Sequence, residues 1–399
     1  MKASLNNFLK KIHFRLPLWL SYFYMPIVNF IRDLQTFYLH IYLIEGEEKE
    51  SGTILKIAYV GEDPRIQNYW TMRLFRRNPV ITKKSRIVVW KIDRYCKHNI
   101  NKIDLIIVEI TRLTKPFVSS GKGFILPRWF DTLIDVKDSF NAINKRNDTH
   151  KQIKRFGFTF EERFSYDDLK YFYERMYKPY TLGRHRESSV RIDYSYFLKR
   201  FRKNDSRLFF LMKDNEPVSG SFNERRNGMI KFSGLGILDG RREILSMGAI
   251  RALYYFMLDH YNKKNIRLIN FGGTSPLLSD GLTLFKLSMH AIPSRKKLLG
   301  EKSLWLVPLN ETSALKMALK SNPFIHIVQN KIYRAMFLDS SEINNKHEFL
   351  KLIKRTWFKK LDGTNVYCWN DTQKISQWIS DEQLSNHEVV EFEVDSSLV

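Results

Sequence analysis

Short apolar runs alternate along this chain with longer stripes of helical period. Thr53–Val60 (TILKIAYV) predicts a strand ending at Gly61, helical material covers Gln67–Phe75, and Arg86–Trp90 predicts a second strand. Asp104–Ile110 is apolar almost throughout, as in a strand buried on both faces. Phe124–Phe130 reads as a loop entry bent at Pro127. Ser139–Phe156 reads as a basic helix leading to Gly157, a residue suited to a helix C-terminus. Tyr166–Lys178 predicts an aromatic amphipathic helix stopped by Pro179, and Ile192–Phe201 a further helix. A three-strand meander follows over Arg207–Lys213, Val218–Phe222 and Met229–Ile237, with turn residues between. In the helix predicted over Ser246–His260, Ile250, Leu253, Tyr254, Met257, Leu258 and Tyr261 form one continuous stripe. Strand Ile266–Phe271, the pair Gly272-Gly273 and a helix from Asp280 to His290 complete the pattern. The alternation predicts a mixed α/β fold.

The N-terminus departs from this pattern. Residues 1–15 carry Lys2, Lys10, Lys11 and Arg15 and no acid, and Leu16–Ile31 is uncharged and aromatic. Arg32-Asp33 interrupts the apolar character, which resumes to Ile44. A spanning helix needs about 20 apolar residues, and this run is shorter and contains Pro17 and Pro26. No small-residue cleavage site follows it, so a signal peptide fits poorly. Two readings stand. One is an interfacial segment, with Trp19, Tyr22, Phe23 and Tyr24 at headgroup level and an anionic membrane under residues 1–45. The other is a hairpin of helices packed on the body.

The chain's 399 residues carry a formal charge of +24, which points to an anionic partner. At 43% hydrophobic it has material for a sizeable core and is not a disordered chain. Two cysteines, Cys96 and Cys368, are too few for a disulfide framework, and no Cys/His cluster predicts a metal. The division expected is a segment 1–50, a half over 51–138, a main domain over 139–335 and an extension over 336–399. From Asp381 on, that extension is acidic without a base.

Residues 270–291, NFGGTSPLLSDGLTLFKLSMHA, put Phe-Gly-Gly at a strand end, then Asp-Gly-Leu and Phe-Lys. This resembles the signature of FemAB-like transferases and related GNAT-superfamily acyltransferases of envelope and exopolysaccharide synthesis, including the cellulose-biosynthesis (CelD-type) domain. The order of meander, helix, strand, glycine loop and helix resembles the GNAT core. The resemblance covers roughly residues 140–310 well and 51–135 loosely, as a degenerate first unit of two tandem GNAT-like units. It implies a cleft between the third meander strand and the next strand, with the acyl donor along Gly234, Leu235 and Gly236. It places Phe285 and Lys286 at the transfer site, where a lysine cation can stabilise the oxyanion of an attacked carbonyl; an exposed helix lysine and a packed Phe are the plain alternatives.

Asp280 is either a helix N-cap or a base for the incoming amine. Gly272 and Gly273 allow close ligand approach or simply turn the chain. Coenzyme A-dependent GNAT enzymes carry an Arg/Gln-x-x-Gly-x-Gly/Ala phosphate loop. Here Arg241-Arg242-Glu243-Ile244-Leu245-Ser246-Met247-Gly248-Ala249 lacks the strict spacing. A relaxed cradle of Arg241, Arg242, Gly248 and Ala249 remains as one reading, and donation from aminoacyl-tRNA as another. Arg184, His185 and Arg186 form either a clamp for an acceptor phosphate or carboxylate or a solvated loop.

The function expected is N-acyl transfer from an acyl-CoA such as acetyl-CoA, with no metal. The acceptor expected is an amine on a glycan, nucleotide-sugar or lipid-linked precursor, attacking directly at the cytoplasmic face of the inner membrane. The alternatives are an aminoacyl-tRNA-dependent peptidyltransferase and a non-catalytic GNAT-like binding module.

Overall fold

The computed structural model describes Phe30 and residues 33–118, 123–145, 147–185, 192–203, 205–226, 228–294, 302–343, 345–355, 361–382, 384 and 386–392. Three sheets organise the molecule, each flanked by helices. The first is built from β1 (Tyr38–Glu47), β2 (Ile54–Gly61), β3 (Val80–Val88), β4 (Leu105–Thr111), β5 (Phe124–Pro127) and β13 (Lys302–Pro308), in the order β3-β1-β2-β4-β13-β5. Strand β4 is buried at every position, as its unbroken apolar run requires of a central strand. Strand β3 is the outer edge and is exposed along nearly its whole length.

The second sheet holds β6 (Phe130–Asp135), β7 (Thr159–Arg163), β8 (Ser206–Lys213), β9 (Glu216–Arg226), β10 (Met229–Ile237), β11 (Leu268–Thr274) and β12 (Ile292–Pro293). Their order is β12-β6-β11-β10-β9-β8-β7. Strands β7 to β10 form an antiparallel meander, and β11 then joins parallel to β10. Such a parallel step needs a crossover, supplied by the helix Ala249–Lys263. Its predicted stripe is the face that packs on the sheet: Leu253, Tyr254, Met257, Leu258 and Tyr261 are buried, with Ile250 packed beside them. The third sheet, β14 (Phe324–Val328), β15 (Lys331–Asp339), β16 (Gly363–Trp369) and β17 (His387–Glu391), has β15, β16 and β17 mutually parallel.

Several expectations need correction. Residues 124–130, expected as a loop, form β5 and the start of β6, because both strands are buried and only Arg128-Trp129 separates them. The apolar stretch reaching Ile44 is not helical from Tyr38 on. It is β1, paired on both edges by β2 and β3. Residues 1–29, 31 and 32 lie outside the described residues. The strand expected over 86–90 runs instead over 80–88, and Trp90 falls in a one-turn 3-10 helix.

Pro179 does not stop its helix. Phe172–Tyr177 is a π-helical turn and Lys178–His185 continues it, so the chain stays helical through the proline. The helix expected over 139–156 is two, Val136–Asn144 and Asn147–Phe156, and Gly157 follows with φ of +61°. The helix expected from Ser246 is likewise split by Gly248, at φ of +80°, into Arg242–Ser246 and Ala249–Lys263.

The contiguous domain boundaries do not hold either. Strand β6 comes from the first expected half and pairs in the second sheet, while β13 comes from the later domain and pairs in the first. The C-terminal sheet begins with β14 rather than at residue 336. At the start of the acidic tail, Asp381 and Glu382 pair with Lys346. Among the described residues no helix is long and apolar enough to cross a membrane.

Candidate functional site

The central strands of the second sheet part company. Strands β10 and β11 share only the register pairs Ile230↔Ile269 and Lys231↔Asn270. Just beyond, both strands change register against their outer partners, β10 between Phe232 and Gly234 and β11 between Asn270 and Gly272. A bulge bends its strand and raises the local twist, so two bulges at one level leave a gap in the ladder. The β11 bulge has a local cause. The Asn270 side-chain oxygen accepts from Gly272 N–H at 2.8 Å, and its amide donates to Asp131 Oδ2 at 3.0 Å. Gly272 takes φ of +80°, a conformation that favours glycine.

Lys286 reaches this gap from the helix Gly281–Ser288. It is only 3% exposed, contrary to the plain reading of a helix lysine in solvent. Its Nζ donates to Gly272 O and Gly273 O, both at 2.8 Å, and lies 5.4 Å from the Phe271 ring centroid. A Cβ placed on Gly272 would stand 3.9 Å from that Nζ and 3.7 Å from Phe232 O on β10. The ammonium therefore sits where the ladder between the strands stops. Burial brings it down to about 7; Asp131 and Asp280 act in the opposite direction, and Lys231 adds to the lowering. A lysine ammonium has three N–H donors, of which two are directed at these carbonyls. Phe285 lies against Tyr254 and Phe271, at 5.6 and 6.2 Å between ring centroids, and walls the base of the site as a packed ring.

Asp280 is the N-cap of the Lys286 helix. Its Oδ1 accepts from Leu282 N–H at 2.8 Å and Thr283 N–H at 3.3 Å. Its Oδ2 accepts from Tyr69 Oη–H at 3.2 Å and pairs with Arg73, both from the helix Pro64–Leu74 beside the first sheet. With both oxygens so engaged, the carboxylate holds a helix and joins two parts of the molecule, and the base reading finds no support. Asp280→Asn keeps the cap acceptor and loses the ion pair. It should cost about 1–3 kcal/mol, because the pair is mostly buried and Arg73 is left facing an amide N–H. Turnover should fall well short of the about 10²–10⁴-fold loss expected of a general base, any drop coming from the loosened helix. Steady-state rates beside a melting curve decide.

Other expected site residues are placed as follows. The glycines of β10 serve packing: a Cβ on Gly234 would come within 3.1 Å of the Phe197 ring, and one on Gly236 within 2.6 Å of the Met176 backbone. With Leu235 they pair to β9, while from Phe232 on β10 has no ladder to β11. Arg241 is extended, and Arg242 opens the Arg242–Ser246 helical turn. Met247 and Gly248 N–H donate to Glu243 O and Leu245 O, so this stretch is a closed turn rather than an open glycine loop. Gly248 is pressed against the Gln152 side chain, and Ala249 is fully buried. Arg184 and His185 end the Lys178–His185 helix, their side chains outside the described set, as is all of Arg186. Gly273 lies beside Asp131, whose Oδ1 would be 3.8 Å from an added Cβ. No group of three or more His, Cys, Asp or Glu side chains among the described residues can hold a metal.

Sequence reasoning missed Asp131, Asn270, Tyr69 and Arg73. Asn270 carried a signal: an Asn two residues before a glycine folds back on the backbone. Asp131 was hidden by reading its neighbourhood as a loop, and Tyr69 and Arg73 lie some 200 residues from their partners.

No protein-family model matches the chain, and no curated protein is significantly similar to it. Among solved structures it is similar to the C-terminal DUF2156 domain of a putative lysylphosphatidylglycerol synthetase from Agrobacterium fabrum. There the identity is 14% and the TM-score 0.32, over 72% of this chain and 88% of that one. It is similar to FemX at 12% identity and a TM-score of 0.34, over 68% and 89% of the two chains. It is also similar to a tandem GNAT protein from the clavulanic acid biosynthesis pathway, at 10% identity and a TM-score of 0.28, over 66% and 82%. The likeness is one of fold and is distant.

Proposed function

We propose that the chain is an N-acyltransferase whose acceptor amine attacks an activated acyl carbonyl held in the β10–β11 gap. The observation that supports this most is the buried Lys286 Nζ at the point where the ladder ends. In the reaction the neutral amine nitrogen bonds to the carbonyl carbon and charge gathers on its oxygen. The bond to the leaving group breaks as the oxyanion collapses, and the proton lost by the amine goes to the leaving group through solvent. Lys286 supplies a cation where the oxyanion forms, in surroundings dry enough to give it weight.

On this reading the unladdered edge of β10 offers its backbone to the amide groups of an acyl-CoA arm. Arg241 and Arg242, both exposed, lie at the entry to the crossover helix. The donor expected is an acyl-CoA, and the acceptor an amine on an envelope glycan or its lipid- or nucleotide-linked precursor. A second reading, donation from aminoacyl-tRNA, is favoured by the closed turn where a relaxed phosphate cradle was one reading and by the +24 charge.

Thermal-shift titration distinguishes the two. A ligand that binds only the folded state stabilises it by about 2.7 kcal/mol at 100 times its dissociation constant. Acetyl-CoA or a longer acyl-CoA should raise the melting temperature. A rise with deacylated tRNA alone moves the assignment to the second reading, and no rise with either removes the transferase assignment.

A further inference from the structure

Three one-turn 3-10 helices, Gln35–Phe37, Val89–Lys91 and Lys115–Phe117, gather at one end of the first sheet. They meet there because β1 starts, β3 ends and β4 ends at that place. Tyr38 is paired with Val88, and Thr36 Oγ1 lies 3.1 Å from Thr111 Oγ1. Each turn contributes one ring. Phe37, Trp90 and Phe117 stand 6.1, 5.8 and 6.2 Å apart between centroids. Rings in contact are usually core, yet Trp90 is 52% exposed and Phe117 45%, and Tyr38 beside them is 57% exposed.

The same turns and their flanks carry Arg86, Lys91, Arg94, Arg112 and Lys115, all exposed, against the less exposed acids Asp33 and Asp93. Aromatic rings rimmed by cations are the composition of a surface that rests in a lipid headgroup layer, with Trp and Tyr at the boundary and Lys or Arg on anionic lipid. A second copy of the chain fits less well, because the adjacent edge strand β3 presents Lys83, Lys84 and Arg86 and like charges oppose edge pairing. Residues 1–29 precede this part of the chain in sequence and repeat the same two classes: Lys2, Lys10, Lys11 and Arg15, then Trp19, Tyr22, Phe23 and Tyr24.

We infer that the Phe37–Trp90–Phe117 cluster and its basic rim are a docking surface for an anionic lipid bilayer. The inference does not depend on the transfer chemistry. It also relocates the membrane contact expected of residues 1–45, adding to residues 1–29 a folded surface built from three separate loops.

The test is co-sedimentation of the full chain with phosphatidylcholine vesicles, with and without phosphatidylglycerol, at low and high salt. Binding is expected with phosphatidylglycerol and is expected to weaken with salt. Trp90→Ala with Phe117→Ala should lower the partition coefficient about tenfold or more. Neutralising Lys91, Arg94 and Lys115 to Gln should lower it about fivefold per charge. Both variants should melt with the wild type, since the altered side chains are exposed, and a matching loss of folding would be seen in that control. Neutralising Lys2, Lys10, Lys11 and Arg15 should leave a residual affinity that depends on the aromatic pair. The inference is overturned if the wild type does not prefer anionic vesicles, or if the double variant binds as well as wild type. It is equally overturned if sedimentation equilibrium shows a dimer that the double variant dissociates.

Discussion

Replacing Lys286 by methionine is expected to lower kcat by about 10²–10³ with little change in donor KM, the size seen when one oxyanion donor is removed. Methionine fills similar volume and keeps the contact with Phe271, so the change is chiefly one of charge. The pH dependence gives an independent reading. On the proposed mechanism the cation is the working form, and burial brings the ammonium down to about 7. The wild-type rate should therefore fall as pH rises through about 7, and the methionine variant should lose that descending limb. A rate that instead rises through the same range would make Lys286 a base rather than a charge donor. A change confined to KM would remove it from the chemistry.

Stability carries the same titration with a fixed sign. The unfolded lysine holds its proton up to about 10.5, while the folded one releases it near 7. Between those values the unfolded chain binds more protons, so this group's contribution to stability rises with pH from 7 to 10.5 and is least below 7. The methionine variant should show a flatter stability profile across that window in denaturant titrations.

The largest structural effect is expected at Gly236. An added methyl would lie 2.6 Å from the Met176 carbonyl carbon and 2.6 Å from the Tyr177 nitrogen, both backbone atoms of the π-helical turn. Backbone cannot swing aside as a side-chain tip can. Gly236→Ala should therefore destabilise by about 1–3 kcal/mol, or shift the turn away from β10. Gly183→Ala is the matched control: its Cβ would meet nothing within 4 Å, and an alanine in that helix should be neutral or favourable by up to about 1 kcal/mol. If the two variants melt alike, the helix does not rest on β10 as described.

Elements whose burial follows a single local period were legible in the sequence. The crossover helix declared itself by its stripe, the meander by turn residues between short apolar runs, and β4 by its unbroken apolar run. The Phe-Gly-Gly stretch of β11 and the short capped helix after it were also legible, because a glycine turn followed by a helix N-cap is a local device, whereas Phe285 and Lys286 were singled out by the family resemblance alone. What could not be read depends on distant partners. Tyr38–Glu47 has the composition of a membrane-seeking segment and becomes a strand only because β2 and β3 flank it. Residues 124–130 hold a proline that a buried strand tolerates at its last position. The exchange of β6 and β13 between sheets has no local signature at all. The burial of Lys286 belongs to the same class, since nothing in residues 281–288 shows that two carbonyls of another strand will receive its side chain.

Asp280 joins two of these facts. One oxygen terminates the helix that aims Lys286, and the other binds Arg73 and Tyr69 from the layer over the first sheet. If the two halves shifted against each other, that helix would lose its anchor at the end from which Lys286 is aimed. An acceptor or a surface that tightens the seam between the halves would therefore steady the cation in the gap. One that loosens it would let the ammonium drift, so the group proposed to act in catalysis would be governed from a place no reactant touches.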